Sequence, residues 1–294
     1  MKLILLITGG SGFIGRNIVE QLSGEFYILA PTHGELDLLD QTAVDRFFKK
    51  HKIDVVIHSA AKPGHRNAKD LTRVFYSNTR IFTNIIHNAD YFQKIIFFNS
   101  GASYDMRFYE PKMKEEYFDT HIPSDEVGYA MYICSKIAIT MDNMIELRPF
   151  GVFGKYEDWQ IRFISNMICK ALFDLPLTIK QNRRFDYVYI DDFVHIVKYF
   201  ILNSPHHRIY NVTPDQSIEL MKLAELVRTI SGKELEIRVA NLELGSEYSG
   251  NNSRLRRELP DFDFTNFDSA IRKLYSWYEM NKGNINRELL LYDK

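Results

Sequence analysis

The chain has 294 residues, is 45% hydrophobic and 26% charged, and carries a net charge of -1. That balance is ordinary for a globular protein and gives no reason to expect nucleic-acid binding, and no apolar run reaches the roughly 18 residues of a membrane helix. The two cysteines, Cys134 and Cys169, have no CxxC spacing; they argue against a disulfide framework or a metal site and for a reducing, cytoplasmic setting.

Taken in chain order, an apolar run over residues 3–8 predicts a first strand. A turn follows with Gly9, Gly12 and Gly15 spaced by three, and residues 13–22 carry helical spacing. Further strands are predicted at 26–30, 54–58 and 94–99, with helices at 41–51 and 68–91. This β-α-β-α rhythm, with near-continuous apolar strands, predicts an α/β fold: a doubly wound parallel sheet of Rossmann type covered on both faces. After about residue 150 the rhythm loosens. Helical stretches at 161–174 and 217–231 and a strand at 235–239 predict a smaller α/β lobe, while residues 185–190 and 192–202 return to the first. The expected division is 1–150 plus about 185–212 as a dinucleotide-binding lobe, with about 151–184 and 213–294 as an interleaved substrate lobe.

The glycine turn leaves a strand and enters a helix, which is the context a pyrophosphate site needs. Glycine lets the backbone approach a phosphate, and the helix N-terminus offers unpaired N–H donors. No carboxylate stands where the second strand ends, at Leu29-Ala30-Pro31-Thr32-His33; Asp37 comes later. Arg16 or His33 is available for a 2′-phosphate. NAD and NADP both stay open, with a lean to NADP.

Tyr132 and Lys136, in YICSK, stand four residues apart and share one face of a helix. An ammonium beside a phenol favours phenolate, so such a tyrosine can exchange a proton with a sugar hydroxyl. With 17 Tyr and 19 Lys, chance alone supplies about one such pair, and a second exists at Tyr278 and Lys282. The second reads as helix surface. Tyr132 instead follows a strand ending FFNSGASYD, whose Ser100 sits where a doubly wound sheet places its ligands.

On these motifs, together with DVVIHSAA, Asn78, LRPFGVFG (147–154) and YVYIDDF (187–193), the chain resembles the extended short-chain dehydrogenase/reductases, the NAD-dependent epimerase/dehydratase family that acts on nucleotide sugars. The segment from Gly34 to Lys62 is most similar to GDP-fucose synthases and dTDP-4-dehydrorhamnose reductases. The resemblance implies Tyr132 as acid/base, Lys136 on the nicotinamide ribose and Ser100 on the sugar oxygen. It implies a cofactor held by Gly9, Gly12, Phe13, Ile14, Gly15, Asp37, Ala60, Ala61, Lys62, Asn78 and Pro149 together with Tyr132 and Lys136. It implies a substrate met by Ser100, Gly101, Ala102, Arg184 and Arg254. Gly101-Ala102 stand where dehydratases carry an Asp-Glu pair, and Ala102 and Tyr156 where fucose synthases carry their epimerising cysteine and histidine. Reduction of an NDP-4-keto-6-deoxy sugar is therefore the expected activity. A 4-epimerase working through a transient ketone stays open, as does a non-catalytic nucleotide-binding protein of the same fold. The expected partner is a nucleotide sugar, with no nucleic acid and no membrane. Only Ile137 to Leu147 separate Lys136 from Arg148-Pro149, fewer than the family usually has. A homodimer stays open, with the usual family interface weakened; residues 105–127 are available to fill part of the gap.

Overall fold

The computed structural model describes residues 2–292. In chain order the elements are β1 (Ile4–Thr8), α1 (Phe13–Leu22), β2 (Tyr27–Leu29), α2 (Gln41–Lys50), β3 (Val55–His58), α3 (Val74–Ile86), β4 (Lys94–Phe98), α4 (Glu126–Ala138), β5 (Met144–Pro149), β6 (Val152–Phe153), α5 (Phe163–Leu172), β7 (Leu177–Gln181), β8 (Arg184–Phe185), β9 (Val188–Tyr189), α6 (Ile190–Leu202), β10 (Ile209–Val212), β11 (Ile218–Glu219), α7 (Leu220–Ser231), β12 (Ile237–Asn241), α8 (Ser253–Glu258) and α9 (Phe267–Met280). Six strands form one sheet in the order β10-β5-β4-β3-β1-β2, every neighbouring pair parallel. Each crossover between successive strands of this sheet passes through at least one helix, as parallel pairing demands.

The strands are apolar on both sides because both faces are covered. Leu5, Ile7, Val55, Ile57, Ile96, Ile145 and Leu147 join one buried cluster with α1 and α6. Leu6, Val56, Ile95, Phe97 and Met144 join another with α2, α3 and α4. The first cluster runs on without a break into the second lobe, through α5, α7 and α9. There β7 pairs in parallel with β12, while the shorter strands form β6-β9 and β8-β11. Among the described residues no helix is long and apolar enough to cross a membrane.

Several expected elements differ. The helix expected over 68–91 begins only at Val74. Asp70 folds the preceding chain into a turn by accepting from the Thr72 amide at 2.8 Å, and Arg73 takes a left-handed backbone (φ 54°). The strand expected over 185–190 is two short pairings, and α6 starts at Ile190. Strand β7 carried no clear signal: its partner β12 lies far away in sequence. Tyr278 was expected on a helix surface, yet it is 2% exposed, because α9 turns it into the core beside Ile271 and Leu274.

Candidate active site

The glycine turn links the end of β1 to α1, and each of its three glycines answers a different constraint. Gly9 adopts φ +71°, and a Cβ there would stand 2.8 Å from Ala60 Cα. A Cβ on Gly15 would fall 2.2 Å from the Gly9 carbonyl oxygen, so that glycine lets α1 pack onto the turn. A Cβ on Gly12 would meet only the Gly9 carbonyl, at 3.3 Å, so its open side faces the space a phosphate would take. Gly12 caps α1 with no side-chain hydrogen bond, and α1 has no acidic residue in its first turn. Phe13 and Ile14 are thus the first helical residues of an uncapped, positive helix end.

Beside the turn lies a cleft of about 310 Å3 lined by Thr8, Gly9, Ser11, Pro31, His33, Leu36, Asp37, Leu38, Leu39, Ala60, Ala61, Lys62, Ser77 and Ile81. Its volume and mixed apolar and polar walls suit a nucleoside. The Thr8 hydroxyl ties its floor together, meeting His58 Nδ1 at 2.8 Å and accepting from the Ala60 amide at 3.3 Å. Burial pushes His58 down to about 3, so that ring stays neutral. Asn78 contributes from behind: its Oδ1 accepts from the Lys62 amide at 2.7 Å, and its Nδ2 donates to the Lys62 carbonyl at 3.1 Å. The Lys62 ammonium is held by Asp70 at 2.6 Å. Asp37 accepts from the Leu39 amide at 2.9 Å, and Glu35 turns back onto Thr32. Arg16 stacks 3.7 Å from the ring centroid of Tyr156, whose hydroxyl donates to Glu20 at 2.9 Å. Of Arg16 and His33, the two residues available for a 2′-phosphate, His33 lines the cleft and Arg16 does not.

The residues Tyr132 and Lys136 lie on α4, which Asp125 caps by accepting from the Gly128 amide at 2.8 Å. Asn99 ends the β4 run and donates to the Met131 carbonyl at 3.0 Å, binding the Ser100 turn to the part of α4 that carries Tyr132. The Ser100 hydroxyl oxygen accepts from the Ala102 amide at 3.1 Å. Gly101 is packed closely; a Cβ there would reach the Tyr248 hydroxyl at 2.6 Å. The Tyr109 hydroxyl donates to the Gly101 carbonyl. Pro149 ends β5 in the next position of the sheet, fully buried.

The tyrosine–lysine pair has a partner that sequence spacing did not reveal. The Tyr132 hydroxyl donates to Asp119 Oδ1, and the Lys136 ammonium donates to Asp119 Oδ2 at 2.7 Å. This hydrogen bond from Asp119 pushes the phenol up to about 12, with burial adding to it. The shift is thus opposite to the expected lowering, because a carboxylate accepting the phenolic proton favours the protonated form. Asp119 comes from the long segment between the Ser100 turn and α4. Its polarity and length were visible in the sequence, but it folds within the chain over α4.

Beside the pair, and meeting α4 at Ser135, runs a buried network. Arg148 Nε donates to Glu146 at 2.6 Å and its Nη1 to the Tyr104 hydroxyl at 2.9 Å, while Ser135 and Asn99 also donate to Glu146, at 2.6 and 2.7 Å. Tyr104 donates to Asn211 at 2.8 Å. Burial disfavours the Arg148 charge, but Glu146 and Tyr104 more than offset it. The two expected substrate arginines are engaged elsewhere in the chain. Arg184 donates to the Ser217 carbonyl at 2.7 Å and meets Glu219 and Glu247, and Arg254 donates to Glu116 at 2.7 Å.

A profile of the NAD dependent epimerase/dehydratase family matches residues 5–213. GDP-L-fucose synthase of Azorhizobium caulinodans is 31% identical over 102 residues, 34% of this chain and 33% of that one, so this match spans about a third of that relative. dTDP-4-dehydro-6-deoxyglucose reductase of Escherichia coli is 24% identical over 260 residues, covering 76% of this chain and 80% of the relative. Among solved structures, GDP-mannoheptose C4 reductase from Campylobacter jejuni, with NADP bound, superposes at a TM-score of 0.81 with 21% identity, covering 95% of this chain and 98% of that one.

Proposed function

Because the chain belongs to the NAD-dependent epimerase/dehydratase family, we propose that it reduces a nucleotide-bound 4-keto-6-deoxy sugar, with Tyr132 as general acid. The observation that carries this is the shared carboxylate: phenol and ammonium lie close enough together for Asp119 to bind both. When bound, a nicotinamide cofactor supplies the hydride for the ketone carbon. Gly9, Gly12 and the first turn of α1 hold its pyrophosphate, and the cleft from Thr8 to Ile81 holds its adenosine half. Tyr132, neutral at physiological pH, donates its proton to the ketone oxygen as negative charge develops there. Lys136 then steadies the phenolate left behind, and Ser100 orients the oxygen.

NADP is the favoured cofactor. Glu35 and Asp37 accept from backbone amides near β2, and the exposed His33 faces the cleft where a 2′-phosphate would sit. The two buried, unpaired cysteines support a reducing, cytoplasmic setting. Helix α4 ends at Ala138, two residues past Lys136. A dimer through α3 and α4 should therefore be weak; light scattering that finds a tight one at micromolar concentration would reverse this.

The function is tested by offering NADPH or NADH with a panel of NDP-4-keto-6-deoxy sugars and NDP-hexoses and following nicotinamide absorbance. Loss of absorbance with one keto sugar supports the reductase. Isomerisation of a hexose without net loss would make the protein an epimerase. Cofactor binding with turnover of neither would leave only a nucleotide-binding protein.

A further inference from the structure

Residues 105–125 form a strap between the Ser100 turn and α4, and its two ends do different things. The first part is pinned to residues 249–254 and to β10 of the main sheet. The Met113 amide donates to the Ser249 carbonyl at 2.9 Å, and the Asn251 amide donates to the Met113 carbonyl at 2.7 Å. Glu115 accepts from the Asn211 amide at 2.9 Å, and Glu116 from Arg254 at 2.7 Å. The second part reaches over α4. Phe118 sits 5.2 Å, centroid to centroid, from the Tyr132 ring and 4.4 Å below the Arg148 guanidinium. Asp119 follows with a left-handed backbone (φ +76°), a conformation aspartate tolerates better than most residues. That backbone aims its carboxylate at Tyr132 and Lys136 together.

We propose that Asp119 is an internal latch on the catalytic pair, its carboxylate competing with the vicinal hydroxyls of a nicotinamide ribose for Tyr132 and Lys136. This rests on the reading that these two residues face that ribose. A carboxylate and a vicinal diol each present two oxygens side by side, so they suit the same pair of donors. A phenol has one proton to donate. While that proton is given to Asp119 it is not aimed at a substrate oxygen, so proton donation requires the latch to open. Opening is feasible because the contact is wet: the Lys136 and Asp119 side chains are 41% and 45% exposed, where an ion pair adds little to stability. The carboxylate also adds a negative charge beside the site of an anionic cofactor, which acts in the same direction. Met113 ties the strap to residues 249–251 and Glu115 ties it to β10 of the main sheet, so the strap is held on both sides before it reaches α4 with Asp119.

The test is NADPH and NADH binding to the full chain, followed by fluorescence titration, in wild type, Asp119→Asn, Asp119→Ala and Asp142→Asn. Asp142 lies beyond the end of α4, paired with Arg208, and serves as the control for loss of one negative charge. A latch closed about nine-tenths of the time lowers apparent affinity about tenfold, so both Asp119 variants should bind cofactor up to about tenfold tighter, with Asp142→Asn unchanged. Asp119 variants that bind no tighter than wild type, or an equal gain in Asp142→Asn, overturn the latch while leaving the function standing. Wild type that binds neither cofactor overturns the proposed function and the latch with it.

Discussion

Two ion pairs of the same chemistry meet helix α4 on neighbouring faces. Ser135 joins Arg148 and Glu146, whose side chains are 0% and 1% exposed, and its neighbour Lys136 joins the half-exposed Asp119. The two contacts have nearly the same length, 2.6 and 2.7 Å. Their surroundings separate their roles. The buried pair has lost its water and is closed by Tyr104, Asn99 and Ser135, so it cannot exchange partners without a large penalty. The exposed pair keeps its water and can trade one partner for another. Burial sorts two similar contacts into a fixed one and an exchangeable one.

The sharpest way to break this comparison is to remove one partner from each pair. Arg148→Met keeps the bulk but strands a buried carboxylate. It should lose about 3–5 kcal/mol of folding stability in urea titrations. Asp119→Asn should leave the unfolding midpoint where it is. Equal effects at the two sites would mean that burial does not divide them.

Next in size is the chemistry on the exposed side. Tyr132→Phe keeps the ring and removes the proton, so kcat on the sugar found in the screen should fall by about 10² or more. That corresponds to roughly 2.7 kcal/mol of barrier. The urea midpoint should change little. Near-normal turnover would remove Tyr132 from the chemistry.

A third carboxylate sharpens the contrast through pH. Glu157 is buried and accepts from the Ser165 hydroxyl at 2.6 Å, and burial pushes it up to about 8 from an ordinary 4.5. Between those values the folded chain holds a proton that the unfolded chain has released, so wild-type stability falls as pH rises through the window. Glu157→Gln removes that dependence. Its stability relative to wild type should grow from about pH 4.5 to about pH 8. A parallel pH dependence in both proteins would show that the carboxyl is ionised in the fold. The smallest effect belongs to the chance match: Tyr278→Phe deletes a buried hydroxyl that has no hydrogen-bond partner among the described residues, and should cost neither activity nor stability.

Much of the local geometry of the candidate site could be read without coordinates, and for a definite reason. Gly15 is constrained by the Gly9 carbonyl in the same turn, and Tyr132 and Lys136 share a helix face by spacing alone. The parallel sheet was legible from strands that are apolar on both sides. Tertiary structure decided what those local patterns meet. Asp119 lies 13 residues before Tyr132 with no periodic relation to it, so its bond reverses the expected direction of the Tyr132 shift without any trace in the YICSK motif. Arg148 stood in a recognisable LRP run, but its ring of partners comes from β4, α4 and the Tyr104 turn. Tyr278 matched a catalytic spacing by chance, and α9 packing sent it inward. Spacing along the chain determines which side chains share a face. What that face touches, and with it the charge, burial and proton affinity of each group, depends on segments brought together only by the folded chain.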